Sequence, residues 1–421
     1  MTRPGVTAPR SPGPPLIFAA IGLVFVAAAP VKAANSQEWT TAPEYEIGGE
    51  PAAGATLRHL GQVRVSRDGS RVYVIERHRY VSAVGRGPRV TVWSPDGSLL
   101  VEIGPEDEIR HLGVSLGIRP APTGFSTRHA SLFAHFSHDG LLLETVEHPQ
   151  PDVDGVSVLA VLDDGTFIGL TRVPRPSVRL GWARAEPDTD DHLLHVLQTE
   201  DGWKWDTIAD LDRRNLVMGV RAIGESSPIP TDHFAGQPFS DTDLFYLDPD
   251  SGLVGIVTRN KAPGEVDLNE ISIRGDTTWQ RHLELPSVPI PAEVLHEAVE
   301  GVVESVLSDP AAPGDALARL PLDTLRRMVR DALHRPSHQP PVTRAIATVS
   351  GEVWLRSAEH SDTMVAWYSL PRGNVTDPPR RIRLPVWFRL SDVTDTHVWG
   401  IRTHEDGAAQ VLGRRLIPTA R

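Results

Sequence analysis

Short runs of alternating apolar and polar residues, each broken by a tight-turn signal, dominate this chain. Gln62 to Ser66 (QVRVS) alternates, reaches Asp68-Gly69 and returns as Arg71 to Glu76 (RVYVIE). Alternation of this kind predicts a strand with one buried face, and Asp-Gly tolerates the positive φ that a tight hairpin turn needs. Arg89 to Ser94 (RVTVWS) and Ser98 to Gly104 (SLLVEIG) repeat the device around Asp96-Gly97. The turn recurs at Asp139-Gly140, Asp164-Gly165, Asp201-Gly202 and Asp406-Gly407, and more loosely at Asp250-Ser251-Gly252 and Ser350-Gly351. The first unit therefore places four antiparallel strands in about 45 residues.

A four-stranded sheet of this length, repeated, predicts an all-β fold: a β-propeller of six blades closed into one ring. Blades two to five are placed at about 106–150, 153–213, 233–286 and 341–385, and blade six runs from near Phe388 to Ala408–Leu416. Blade six is one strand short. Glu44 to Gly48 (EYEIG), ahead of blade one, reads as the missing strand and would join both chain ends in one sheet, hiding an open edge. One stretch changes period. Pro291 to Leu307 sets Val294, Leu295, Ala298, Val299, Val302 and Val306 on one helical stripe, and Leu322 to Leu333 forms a second amphipathic helix. The two make a helical insertion at about 290–336 between blades four and five, either a cap on one rim or a docking element.

The N-terminus reads as a leader. Arg3 and Arg10 precede the apolar run Leu16 to Ala29, and small residues at Ala33 and Ala34 follow. That order marks residues 1–34 as a secretory signal peptide, with 35–421 as the propeller, and the run is too short to span a bilayer. The expected location is periplasmic or secreted. With 0 Cys, lipid attachment, disulfides, thiol catalysis and Cys-bound metals are excluded. A net charge of −12 argues against nucleic-acid binding. Of the 42 basic residues 39 are arginine, the side chain best suited to bidentate contacts with carboxylates or phosphates.

The turn-bearing segments Trp93–Gly104 (WSPDGSLLVEIG) and His397–Leu416 (HVWGIRTHEDGAAQVLGRRL) carry a wider likeness. With their repeats, the chain resembles exported bacterial six-bladed propellers of the NHL and TolB-like superfamily over roughly 44–417. The resemblance implies the fold and a tendency toward ligand or protein binding; fold alone does not set function.

The candidate site follows the second strand of the inner hairpins. VYVIER ends at Arg77, FIGLTR at Arg172, VGIVTR at Arg259, VWLR at Arg356 and VWGIR at Arg402. If the blades superpose, these arginines form a ring at one channel mouth that would bind an anion through charge-assisted hydrogen bonds. Glu76, His78, His129, His233 and His404 fall in loops near the same mouth, without metal-ligand spacing. The acidic run Glu186 to Asp191 lacks the glycine and distal glutamate of a calcium loop. Trp93, Trp203, Trp205, Trp354 and Trp399 read as packing between blades. The expected function is a non-catalytic exported propeller that binds a small anionic ligand or an envelope protein, as a monomer without cofactor, metal or membrane span after leader removal. The alternative is a metal-dependent hydrolase or lactonase in the channel, for which Asn269 and Glu76 are the available starting points. No Gly-x-Ser-x-Gly elbow supports a serine hydrolase.

Overall fold

The computed structural model describes residues 31–32, 36–48, 57, 60–76, 89–104, 117–129, 131–150, 155–171, 191–213, 217–223, 230–248, 250–308, 320–372, 377–405 and 407–419. The expected leader and its apolar run lie outside them, except for Val31–Lys32. Among the described residues, no helix is long and apolar enough to cross a membrane.

β1 (Val31–Lys32) and β2 (Gln37–Ile47) come first and join sheets made much later in the chain. The first sheet is β3 (Leu60–Val65), β4 (Val72–Glu76), β5 (Arg89–Trp93) and β6 (Leu99–Ile103), paired in that order. The second is β7 (Gly117–Ala121), β8 (Gly124–Arg128), β9 (Leu132–Ser137) and β10 (Leu142–Glu147). The third is β11 (Val156–Val161), β12 (Phe167–Thr171), β13 (Asp191–Thr199) and β14 (Gly202–Leu211). A separate hairpin of β15 (Val217–Ile223) and β16 (Pro230–Gly236) follows.

The fourth sheet is β17 (Leu244–Asp248), β18 (Leu253–Thr258), β19 (Glu265–Ser272) and β20 (Thr277–Glu284), with β1 parallel along β20. Then come α1 (Ala292–Ser308) and α2 (Leu322–Ala332). The last strands are β21 (Val342–Ala347), β22 (Val353–His360), β23 (Met364–Leu370), β24 (Arg380–Pro385), β25 (Arg389–Val393), β26 (His397–Thr403) and β27 (Ala409–Pro418). With β2 they make one eight-stranded sheet, ordered β21-β22-β23-β24-β2-β27-β26-β25. The first three sheets match the expected units closely. The expected span of the fourth, 233–286, starts inside β16, while the fourth sheet begins at Leu244.

The turns close as the Asp-Gly signal predicts. Gly69 sits at φ +74°, and the Asp68 carboxylate accepts from Ser66 Oγ at 2.6 Å and Ser70 N at 3.0 Å. Asp96 and Asp164 repeat the arrangement, accepting from Ser98 N and Thr166 N, each at 3.0 Å. These bonds hold the Asp68 carboxyl at about 2, with the Ser66 hydroxyl contributing most.

Apart from one around the helices, the apolar clusters among the described residues lie between consecutive sheets, which is the propeller arrangement. Tyr73, Val92, Phe125 and Phe136 join the first sheet to the second, and Phe133, Val158, Phe167 and Val196 join the second to the third. Ile168, Leu193, Val254 and Ile256 join the third to the fourth. Val257, Leu268, Leu355 and Tyr368 join the fourth to the β21–β24 half of the long sheet. That half packs through Trp354 and Trp367 on Leu390 and Val398 of the other half. Trp399 and Val411 then meet Val63 and Trp93 of the first sheet. The helices form a satellite cluster in which Val299, Val302, Val306, Leu325 and Val329 enclose Phe239, beside the β15–β16 hairpin. They stand where the period change placed them.

β2 joins the two ends of the chain. Its residues Trp39 to Ile47 pair antiparallel with β27, with Tyr45 opposite Gly413 and Ile47 opposite Val411. The expected pairing of Glu44–Gly48 with the C-terminal strand is therefore present, and it extends back past Pro43 through a register shift. Gln37 to Trp39 also pair parallel with β24. Tyr45 stacks on Trp399 at 5.5 Å between ring centroids, and Arg381 Nη1 meets Glu38 Oε1 at 2.7 Å.

Ile47 is 1% exposed, so Ile47→Ala is expected to lower unfolding stability by about 2–4 kcal/mol, read by urea denaturation. Because the folded Asp68 carboxyl lies below its ordinary 3.8, its stabilisation is complete above that value and fades as pH falls toward about 2. The melting temperature of Asp68→Asn should therefore fall below the parent's at neutral pH and converge with it near pH 2 (the turn is exposed, so solvent screening keeps the gap under about 1 kcal/mol).

Candidate functional site

The expected arginines sit in unlike settings. Arg77 and Arg172 lie outside the described residues, as does His78. Arg259 follows β18 and is 6% exposed; its Nε donates to Thr242 O and its Nη1 to Val342 O, both at 2.7 Å. Burial lowers its pKa to about 10, against the opposing pull of Asp241 and Asp243. Arg402 is exposed, with its guanidinium 5.0 Å from the Trp387 ring centroid, a cation–π contact. Arg356, half-buried on β22, stands directly opposite Arg344 of β21.

The Arg259 bond is one of a series. The first strand of each sheet leaves carbonyls on its outer edge without a strand partner, and buried carbonyls need donors. A guanidinium offers five N–H groups on a long arm. Arg344 Nη1 donates to Leu390 O of β25 at 2.8 Å, and Arg389 Nη2 of β25 donates to Leu60 O of β3 at 2.9 Å. Between β3 and β7 the link is Ile118 N donating to Gln62 Oε1 at 2.9 Å. Arg119 and Arg128 of the second sheet donate to Val161 O and Val158 O of β11 at 2.8 and 2.5 Å. Arg213, beyond β14, donates to Asp243 O ahead of β17 at 3.2 Å and pairs with Asp191 at 3.0 Å. Arg259 reaches β21. Among the described residues, a side chain thus links each pair of consecutive sheets, from an inner strand at some junctions and from a second strand or the end of a sheet at others.

One stretch of this circuit is overcharged. Arg344 and Arg356 are register partners on adjacent strands, a placement in which side chains share a face and like charges repel. Arg64 of β3 and Arg389 of β25 approach closely enough to affect Arg344. Its pKa is lowered by desolvation first and then by Arg64, Arg389 and Arg356, with no carboxylate opposing them among the described residues. Arg344 and Arg389 keep solvent contact. The Arg356 guanidinium meets no acceptor among the described residues. Asp392 of β25 is the carboxylate at this end: it is fully buried, accepts from Val65 N at 3.1 Å and Val393 N at 2.9 Å, and lies 3.9 Å from Arg64 Nη1. Burial raises its pKa while Arg64 and the backbone donors pull it down. The chemistry available here is capture of an anion by several guanidinium groups across neighbouring sheets.

Arg64, Arg344 and Arg389 are the residues that sequence reasoning missed. They occupy the first strands QVRVS, VTRAIA and RLSDV, where an arginine at a polar alternation position looks like an ordinary solvent-facing residue. Their recurrence ahead of the turn was the available signal.

Several of the remaining candidates have structural partners. Glu76 is 5% exposed and takes a bidentate contact from Arg89, Nε to Oε2 at 2.7 Å and Nη2 to Oε1 at 3.0 Å. His129 is buried with Nε2 2.8 Å from Thr127 Oγ1. The backbone of His404 forms a turn with Ala408 O. His233 and Asn269 lie in β16 and β19, the latter opposite Gln280. Glu186 to Asp190 lie outside the described residues, and Asp191 pairs with Arg213. Trp93, Trp354 and Trp399 are buried between sheets, Trp203 is half-buried against Phe167, and Trp205 is exposed. Among the described residues, no three His, Asp or Glu side chains gather to hold a metal ion.

No family model matches the chain, and no curated protein matches it. Among solved structures it is similar to a luciferin-regenerating enzyme, at 9% identity over 91% of this chain and 98% of that one, with a TM-score of 0.36. It is similar to the PQQ-bound aldose sugar dehydrogenase of Streptomyces coelicolor, at 13% identity over 89% and 100%, TM-score 0.33. It is also similar to the β-propeller domain of the trilobed protease of Pyrococcus furiosus, at 11% identity over 84% and 81%, TM-score 0.31. Overlays this loose carry no assignment of activity or ligand.

Arg259→Met keeps the buried stem and removes both charge-assisted bonds, leaving Thr242 O and Val342 O without their donor. The expected loss is about 2–4 kcal/mol of unfolding stability in urea, with secondary structure retained at 25 °C.

Proposed function

We propose that this protein is an exported, non-catalytic binding propeller of six blades whose channel end, at the junction of β21, β25 and β3, holds a small anionic ligand. The blade count is supported by how the eight-stranded sheet divides. Only three residue pairs join β2 to β24, whereas eight join it to β27, so β25, β26, β27 and β2 make one blade and β21 to β24 another. Six apolar clusters between consecutive sheets fit the same count. Export rests on the leader-like segment at residues 1–34, and the likeness to NHL and TolB-like propellers on the repeats. A monomer in the periplasm or medium, without a cofactor, suits this reading.

The binding claim rests on one observation: Arg64, Arg344, Arg356 and Arg389 gather on neighbouring strands in a chain whose overall charge is −12. Arg344 and Arg356, directly opposite each other and without a carboxylate partner among the described residues, oppose each other until an anion sits between them. The five arginines that end the second strands, Arg77, Arg172, Arg259, Arg356 and Arg402, contribute to this reading mainly through Arg356.

Isothermal titration of phosphate and of citrate into the purified chain lacking residues 1–34, in dilute buffer, tests the proposal. Binding should weaken steeply between about 0.02 and 0.2 M salt as Debye screening grows. Arg344→Gln combined with Arg356→Gln should weaken it at least tenfold. Absence of binding by any carboxylate or phosphate at low salt would falsify the reading.

A further inference from the structure

The site's ligand class follows from how the guanidinium groups are already used. Arg344 commits one N–H to Leu390 O and Arg389 commits one to Leu60 O, so both heads are fixed at the junction rather than free to swing apart. Arg356 is held opposite Arg344 by strand register. Arg64 is 31% exposed along its side chain and stands 3.9 Å from the one carboxylate described at this end, Asp392. That carboxylate has no exposed surface and accepts from two backbone amides, so its oxygens are largely engaged before any arginine is served. Among the described residues, Arg64, Arg344 and Arg356 together carry three positive charges against the one carboxylate of Asp392. A single monoanion leaves repulsion in place; a compact ligand with two or more negative charges removes it.

We propose that this site selects small ligands bearing at least two closely spaced negative charges, a phosphate group or a polycarboxylate, over monoanions. The inference rests on the anion-binding reading above. Because the heads that hold the ligand also hold β21 to β25 and β25 to β3, the same ligand ties three consecutive sheets together. Bound ligand therefore raises the melting temperature, in proportion to the logarithm of its concentration over Kd.

The experiment compares acetate, chloride, phosphate and citrate by titration calorimetry and melting temperature at pH 7.5 and constant ionic strength. Phosphate or citrate should bind at least tenfold tighter than acetate or chloride. Arg356→Gln should erase most of that preference, Arg356→Lys should retain part of it, and Asp392→Asn should tighten dianion binding severalfold. Arg274→Gln, in the exposed β19–β20 turn, should change nothing. If Asp392→Asn fails to fold, as judged by circular dichroism, the Arg356 pair decides the matter alone. Equal affinity for acetate and citrate would overturn the selectivity while leaving anion binding intact. A dianion preference that survives Arg344→Gln with Arg356→Gln would place the ligand elsewhere and overturn the site. No binding by any of the four would remove the underlying reading as well.

Discussion

The ring depends on donors supplied to the outer edges of its innermost strands. Within a sheet, strand pairing satisfies the backbone; between sheets, side chains do much of this work beside a few backbone bonds such as Asp243 N to Asp212 O. Apolar packing supplies most of the burial energy at each junction but is non-directional and does not fix how one sheet is aligned with the next. Hydrogen bonds from Arg344, Arg389, Arg128, Arg119, Arg213 and Arg259 to backbone carbonyls fix that alignment, with the Gln62 side chain serving between β3 and β7. Bonds of this charge-assisted kind are worth about 1.5–3 kcal/mol each. In a chain with 0 Cys they are the specific cross-links, and they give part of the arginine excess a structural use.

The same side-chain chemistry produces the candidate site. Where one arginine meets one carbonyl and a nearby acid, as with Arg259 between Asp241 and Asp243 or Arg213 with Asp191, the charge is settled within the fold. At β21 and β22 the register partners Arg344 and Arg356 have no carboxylate partner among the described residues, and theirs is the charge that the proposed ligand would settle. Site and scaffold differ here only in the balance of charges.

Much of the architecture was legible because it is local. Asp68-Gly69 and its relatives specify hairpins through φ preference and side-chain-to-backbone bonds a few residues apart. Val299, Val302 and Val306 mark a helix by spacing alone. The terminal pairing was legible because a lone strand before the first unit had one unfilled place to go. The β15–β16 hairpin was missed because its connection carries no Asp-Gly signal. Of the arginines grouped in the proposed site, only Arg356 was legible, and the rest were missed for a different reason. Arg64, Arg344 and Arg389 act on strands far away in sequence, and alternation within one strand cannot distinguish a residue facing solvent from one reaching the next sheet. Arg259 had the position expected of a channel residue, yet its carbonyl partners at Thr242 and Val342 turn it into a buried brace.

The pairing of β2 with β27 also governs the order of assembly. Ile47 emerges from the ribosome well before its partner Val411. Each earlier sheet can form from neighbours in sequence, but the final seam must wait for β27, at the entropic cost of closing a long loop. Until then β2 has no antiparallel partner and the Tyr45 ring does not stack on Trp399. An unfinished chain is therefore an open arc.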